Sequence, residues 1–241
     1  MFRFLCLFAI LSAFTACSEA DSCTIKTSGL VFTGGVETIS SGHITTSTWM
    51  RVGDANSLTY VTLCPQDRLS VKVNNIEQSM IGTGWGIYSS AFNNVAAGDT
   101  VQFLLYRSGS DEDATDTTVK VATAMTAATA SPDTNINTTN QAIDLTWGDT
   151  SQEGTVSIEM QPKSGCTFTP RSHTIENDLG AAQIPAGTIS PKPILNVGSS
   201  TCRATITIKR TILGIVDAAL DPDSTLTATA EIEKEVTLQA D

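Results

Sequence analysis

Apolar and polar positions alternate along much of this chain. From Thr225 to Leu238 the even positions Leu226, Ala228, Ala230, Ile232, Val236 and Leu238 are apolar, and Thr225, Thr227, Thr229, Glu231, Glu233, Glu235 and Thr237 are polar; only Lys234 breaks the period. A period of two sends successive side chains to opposite faces of a strand, so one face meets a core and the other meets water. The same period runs through Leu69-Val71-Val73, Val101-Phe103-Leu105, Ile143-Leu145-Trp147, Val156-Ile158-Met160 and Ala204-Ile206-Ile208. Turn signals separate these runs: Gly98-Asp99, Gly148-Asp149, Pro185-Ala186-Gly187 and Asp221-Pro222-Asp223. No long stretch shows helical spacing, and threonine, valine and isoleucine, which suit a pleated half-buried surface, are abundant. The pattern predicts an all-β, antiparallel fold.

Between Val121 and Pro132 the chain reads VATAMTAATASP, an Ala/Thr stretch without amphipathic pattern, and a domain junction is expected there. The division gives domain 1 over 23–124 and domain 2 over 125–241, each roughly 100 residues and the size of one immunoglobulin-like sandwich. A single barrel of ten or more strands is the competing architecture.

The N-terminal segment does not belong to that pattern. A short start with Arg3, an apolar run from Phe4 to Phe14 and the small residues Thr15 and Ala16 have the form of an export signal over 1–16, too short to span a bilayer. Two cuts compete. An ordinary signal peptidase would use Ser18-Glu19-Ala20 and cut before Asp21. A lipoprotein peptidase would read Phe14-Thr15-Ala16-Cys17 and cut before Cys17. The segment resembles bacterial lipoprotein signals, with Phe14 where they prefer leucine, and the resemblance implies lipidation of Cys17, three acyl chains and firm membrane anchoring. It also implies outer-membrane destination, because Ser18 stands where an aspartate would retain such a protein at the inner membrane. Residues 17–22 then form a short tether, and domain 1 sits near the bilayer.

Six cysteines are present. Cys6 leaves with the signal and Cys17 carries lipid, so Cys23, Cys64, Cys166 and Cys202 remain as an even set suited to an oxidising compartment. Three pairings are possible. One bridge per half is the economical one, closing loops of roughly 40 residues for about 4 kcal/mol each in the chain-entropy account. A zinc site would need a C-x-x-C pair or clustered histidines, which the sequence lacks.

Lys and Arg number 14 against 25 Asp and Glu, and removal of Arg3 with the signal takes the formal net charge from −11 to −12. Such a chain is repelled by nucleic acid and by anionic membrane surfaces, so attachment to a membrane has to come from lipid.

The segments SLTYVTLCPQDRLSVKVNN, VQFLLYRS, AIDLTW, GCTFTPRSHTIENDLGAAQIPAGTI and CRATITIKRTILGIVDAAL resemble a group of uncharacterised Gram-negative lipoproteins built of two immunoglobulin-like domains. The resemblance covers most of the mature chain and implies two tandem immunoglobulin/fibronectin III-like β-sandwiches after a lipoprotein signal peptide. It implies no activity. AIDLTW is also similar to the tryptophan-bearing second strand of fibronectin type III domains, which implies that Trp147 is a core residue.

Candidate chemistry is sparse. The two histidines, His43 and His173, stand in no nucleophile motif; no G-x-S-x-G and no H-E-x-x-H occurs, and no spacing singles out a carboxylate pair. Asp111, Asp113 and Asp116, with Glu112, could gather oxygens around calcium, as could Asp217, Asp221 and Asp223, though neither set matches an EF-hand loop. In GTGWGIYSS three glycines free the backbone while Trp85 and Tyr88 offer flat faces for a carbohydrate or peptide. These features predict no cofactor and no catalysis. The expected function is that of a non-catalytic outer-membrane lipoprotein presenting a protein- or glycan-binding surface, with an envelope hydrolase as the alternative.

Overall fold

The structure is a computed structural model that describes residues 18–239 apart from 55, 110, 152, 176 and 194–200. The export signal and Cys17 lie outside the described residues. The N-terminal half contributes β1 (Ser18–Asp21), β2 (Leu30–Ser40), β3 (Gly42–Val52), β4 (Thr59–Thr62), β5 (Arg68–Val73), β6 (Ile76–Ser79), β7 (Ile81–Gly84), β8 (Ile87–Val95), β9 (Thr100–Tyr106) and β10 (Ala114–Lys120). The C-terminal half contributes β11 (Thr126–Ser131), β12 (Ile143–Gly148), β13 (Thr155–Ser164), β14 (Cys166–Thr167), β15 (Arg171–Ile175), β16 (Ala181–Ile184), β17 (Lys192–Pro193), β18 (Thr201–Leu213) and β19 (Thr225–Gln239). Two single 3-10 turns complete the described secondary structure, so the fold is all-β as the alternation predicts.

The strands form open, sandwich-like layers. One sheet runs β1-β4-β3-β2-β19-β18-β13-β15, with β8 on β3 and β7 on β8. A sheet of order β10-β9-β5-β6 covers its N-terminal part, and a sheet of order β11-β12-β16 belongs to the C-terminal half. In the first sandwich Phe32 of β2 meets Phe103 of β9 edge to face, with centroids 5.4 Å apart and planes at 71°. Leu69, Val71, Val101 and Leu105 complete that core. Ile143, Leu145, Trp147, Ile158, Met160 and Ile206 are buried in the second half.

The halves share a strand pair. β18 and β19 form one long hairpin, Thr201 opposite Gln239 and Leu213 opposite Thr227. At about 3.3 Å per residue its 15-residue strand spans roughly 50 Å. Its outer end, Thr225 to Ala230, runs parallel to β2 from Thr33 to Thr38, while β18 pairs with β13 of the C-terminal half. The buried positions follow this division. Leu226, Ala228 and Ala230 are buried at one end and Val236 and Leu238 at the other; between them Ile232 is half-buried and Lys234 reaches Asp133 at 3.6 Å. Lys234 therefore breaks the alternation where the strand leaves one packing unit for the next. The joint between β10 and the hairpin depends on a close approach: a Cβ on Gly214 would lie 2.7 Å from the Thr118 carbonyl oxygen and 2.8 Å from Leu226. There the Ile215 N–H donates to the Thr118 carbonyl and the Thr118 N–H donates back, tying β10 to the hairpin.

Each half holds one disulfide, Cys23–Cys64 and Cys166–Cys202, with Cα atoms 5.8 and 5.2 Å apart. The residues expected as tether behave differently. Ser18–Asp21 form β1, parallel to β4 from Thr59 to Thr62. Ser22 is fully buried, donating its hydroxyl to Asp67 at 2.6 Å and accepting the Cys64 N–H at 2.9 Å. Short polar segments of this kind are held by backbone pairing and one buried hydroxyl, which leave no apolar pattern to read.

The ladder fixes a long axis. Ser18 lies beside Thr59, Leu30 beside Val52, and the Asp221 N–H donates to the Leu30 carbonyl, so the N-terminus of β1 and the turn of the long hairpin occupy the same end. The opposite end carries Thr201, Gln239 and the Cys166–Cys202 bridge.

Candidate functional site

A cleft in the C-terminal half is a prominent concavity of the described residues. It opens between two strands that are sheet edges among the described residues, β15 beside β13 and β16 beside β12. Its main chamber encloses about 540 Å³, and an adjoining chamber of about 470 Å³ shares Arg171, Gly187, Thr188 and Ile189 with it. Residues directly opposite across a ladder point to the same face. Arg171 is opposite Met160 and His173 opposite Ile158, so both side chains project on the cleft side of β15, where both remain exposed. The floor is aliphatic, from Ile158, Met160, Ile184 and Ile189. Lys192 adds a second obligatory cation in the outer chamber, where Phe168 is the aromatic residue. Among the described residues no carboxylate lines either chamber, in a chain of formal net charge −11. Neither Arg171 nor Lys192 makes an ion pair among the described residues.

The segment RSHTI carries this signal in sequence. Positions 171, 173 and 175 share a face, and parity alone puts Arg and His where a core residue would stand. Composition draws the eye to acids instead; the surface reading of His173 holds, since the residue is exposed, but it gives no sign of the cleft.

The residues proposed for glycan or peptide contact are separated. Trp85 sits in the β7–β8 turn with a φ of 54° between Gly84 and Gly86, and is 57% exposed. Tyr88, one residue into β8, is 7% exposed; its Oη accepts the Leu63 N–H at 2.8 Å. Burial pushes the Tyr88 phenol up, the Leu63 hydrogen bond opposes this, and the charge of Glu19 adds to it. Tyr88 is thus a core residue and no binding face is formed by the two together. Both residues are near a glycine-rich turn in sequence, but the alternation of β8 decides which is inward.

The acidic loop is likewise taken up internally. Asp111 accepts from the Arg107 guanidinium at 3.1 Å and Asp113 accepts the Arg107 N–H at 2.6 Å. The Asp116 N–H donates to Asp217, whose other oxygen accepts the Ala219 N–H, while Asp221 accepts the Asp223 N–H. Asp111, Asp113 and Asp116 do not converge, and among the described residues no three His, Cys, Asp or Glu side chains are grouped to hold a metal ion. The loop's partner is Arg107, which the sequence reading missed. Its guanidinium is buried, pairs with Asp67 at 3.1 Å, and donates to the carbonyls of Ser22 and Ile25. Burial would raise the Asp67 carboxyl, but hydrogen bonds from Ser22 and Ser108 and the charge of Arg107 overcome it and hold the pKa below 3.8.

His43 lies on β3, remote from the cleft in the ladder, with Nδ1 2.7 Å from Asn93 Oδ1. Cys17, the expected lipidation site, is outside the described residues. No described helix is long and apolar enough to cross a membrane.

No family model matches the chain, and no curated protein matches it. Solved structures that superpose on it include a two-fibronectin type III domain segment from chicken tenascin, with 14% identity over 83% of this chain and 96% of that one, at a TM-score of 0.30. The mouse nectin-like molecule 4 ectodomain (Ig1–Ig3) has 11% identity over 89% of this chain and 65% of its own, TM-score 0.27. The Yersinia pseudotuberculosis adhesin InvE has 9% identity over 88% and 59%, TM-score 0.25. The all-β sandwich assignment rests on the strands and their layers.

Proposed function

We propose that this protein is a non-catalytic, lipid-anchored outer-membrane lipoprotein of a Gram-negative bacterium that presents a protein- or glycan-binding surface through the cleft of its C-terminal half. The observation that carries the reading is the placement of that cleft. A concave surface with an aliphatic floor and a few convergent polar groups is the usual form of a binding site. Here it lies toward the end of the long hairpin opposite Ser18, so an anchor at the neighbouring Cys17 would hold β1 at the membrane and raise the cleft away from it. The alternative, an envelope hydrolase, would need His43 or His173 beside a serine and an acid. His43 instead meets Asn93, and His173 faces the cleft beside Arg171, where no carboxylate is among the described lining residues.

The reading is tested by capture from envelope extracts with the native lipidated protein and with Arg171→Glu, alongside a glycan array. Retention of one partner or glycan by the native protein and its loss by Arg171→Glu supports the reading. Identical captures by the two proteins, or turnover of an envelope polymer by the native one, would overturn it.

A further inference from the structure

We infer that the cleft takes an extended peptide segment with aliphatic and acidic side chains, added as a strand along the free edge of β15. The inference rests on the binding reading above and decides between its two ligand classes.

Three observations converge. First, β15 is hydrogen-bonded to β13 on one side, and no strand pairs with its other side among the described residues, so its outer N–H and C=O groups can extend the ladder to an incoming chain. Strands at the two facing edges, β15 and β16, leave between them the place where a sandwich would hold one more strand. Second, the floor is made of branched aliphatic side chains and Met160. Sugars are recognised by flat aromatic faces with polar edges, and Phe168 in the outer chamber is the one aromatic lining residue. Aliphatic side chains from alternate positions of an added strand fit such a floor. Third, Arg171 and His173 point to the cleft side of β15, where inward residues of an added strand would lie beside them, and Lys192 stands at the outer chamber. Cross-strand pairs of opposite charge are favourable and like charges are not, so the inward residue next to Arg171 should be acidic. The acidic remainder of the chain repels other acidic segments, so a bound acidic segment would be drawn to this cleft specifically.

The probe is an acetylated, amidated heptapeptide in which threonine alternates with valine, glutamate and valine (TVTETVT). Its comparators are the same peptide with lysine for glutamate, and the same peptide with alternate backbone nitrogens methylated. Saturable binding of the glutamate peptide to the full mature protein is expected, with amide shifts in residues 171–175. The lysine and N-methylated peptides should bind at least about tenfold more weakly, since one meets a like charge and the other cannot complete the ladder. Arg171→Glu should reverse the preference between the glutamate and lysine peptides. Lys192→Glu, which changes an exposed side chain in the outer chamber, should weaken the glutamate peptide in the same direction and serves if Arg171→Glu fails to fold. Equal binding of the glutamate and lysine peptides, indifference to backbone methylation, or no saturable binding at any soluble concentration would each overturn the inference. A glycan that is captured by the native protein and lost with Arg171→Glu would overturn the peptide inference while leaving the binding reading standing. Failure of both peptide and extract capture would remove both.

Discussion

Arg210 and Asp178 form an ion pair with both side chains fully removed from water, and it joins the two halves of the chain. The Arg210 Nε donates to Asp178 at 2.9 Å, Nη2 donates to the same carboxylate and to the Asp149 carbonyl at 2.7 Å, and Nη1 donates to the Thr123 carbonyl in the junction segment. Asp178 in turn accepts Trp147 Nε1 at 2.8 Å and the Gly180 N–H at 3.1 Å. One strand residue thus fastens the junction, a β12 turn and the segment before β16. The N-terminal half repeats the device with Arg107 and Asp67, which bind Ser22 and Ile25 in the turn after β1 and Asp111 in the acidic loop.

Removing one partner should be costly. Asp178→Ala leaves a buried guanidinium unpaired and is expected to destabilise by about 3–5 kcal/mol in chemical denaturation. Replacing both residues, Asp178→Leu with Arg210→Met, should fail to recover most of this. The Thr123 and Asp149 carbonyls and the Trp147 and Gly180 N–H groups would lose partners, at about 1–3 kcal/mol for each left buried. A double variant as stable as the native protein would show that those groups find water.

Stability should fall in acid. Burial alone would raise the Asp178 carboxyl, but hydrogen bonds from Arg210, Trp147 and Gly180, with the charge of Arg210, hold it below 3.8, as Asp67 is held in the other half. A carboxylate whose folded pKa lies below its unfolded value contributes stability that is fully present above the unfolded value and lost as the pH falls through the folded one. The denaturation midpoint is therefore expected to drop as the pH falls below about 4. Asp67→Asn, less stable at neutral pH, should show a shallower drop over that interval. Parallel pH profiles for the two proteins would contradict the assignment.

How far the sequence discloses this arrangement depends on the range of the interaction. The period of two between Leu226 and Leu238 marks β19 and its buried face, because alternation is local. Its parallel pairing with β2 is not marked, since Thr225 and Thr33 are far apart in the chain and parallel partners carry no turn signal. Gly34 of β2 is a local trace: an imagined Cβ there lies within 3 Å of Leu226. The pairing of Cys23 with Cys64 and of Cys166 with Cys202 follows from closeness in sequence. The acids of 111–116 were visible and their partner was not, because the buried arginines Arg107 and Arg210 carry no local mark that separates them from exposed ones. The cleft escaped for a related reason: Arg171 and His173 are surface residues, as the sequence suggests, and only the ladder opposite Met160 and Ile158 shows that they line a cleft.

Gly214→Ala should loosen the joint between the hairpin and the first half. The added methyl meets a backbone carbonyl, which cannot rotate away, so a loss of about 1–3 kcal/mol is expected. Hydrogen exchange should then quicken at Thr118 and Ile215, whose N–H groups bond across the joint. Unchanged exchange at both would mean that the backbone absorbs the methyl elsewhere.

Opening either disulfide should weaken its own half first. Cys23 and Cys64 enclose a separation of 41 residues, Cys166 and Cys202 one of 36, and each paired replacement by alanine is expected to cost about 2–4 kcal/mol. The first bridge lies next to Ser22, which donates to Asp67. Its loss should therefore also expose the Arg107 cluster, read as faster exchange at the Ser108 N–H, which donates to Asp67. The second bridge closes the end of the long hairpin by the outer chamber of the cleft, and its loss should weaken ligand capture without moving Ser108. Identical exchange patterns in the two variants would mean that the halves do not respond separately.

Cys17→Ser tests the anchor. The proposed lipid is attached at Cys17, whereas Cys23, Cys64, Cys166 and Cys202 are all engaged in bridges, so the substitution removes no sulfur that the fold uses. The variant is expected in a soluble extracytoplasmic fraction with an unchanged denaturation midpoint. Because β1 begins at Ser18 and pairs at once with Thr59, a lipid on Cys17 would have almost no free chain between it and the sheet. Its first half should be protected from proteases and surface labels in vesicles, while the cleft residues stay reachable. Persistence of Cys17→Ser in the membrane pellet, or a mature wild-type N-terminus at Asp21, would defeat the lipid-anchor reading. A cut before Asp21 would also remove Ser18, Glu19 and Ala20, and with them most of β1, exposing the edge of β4.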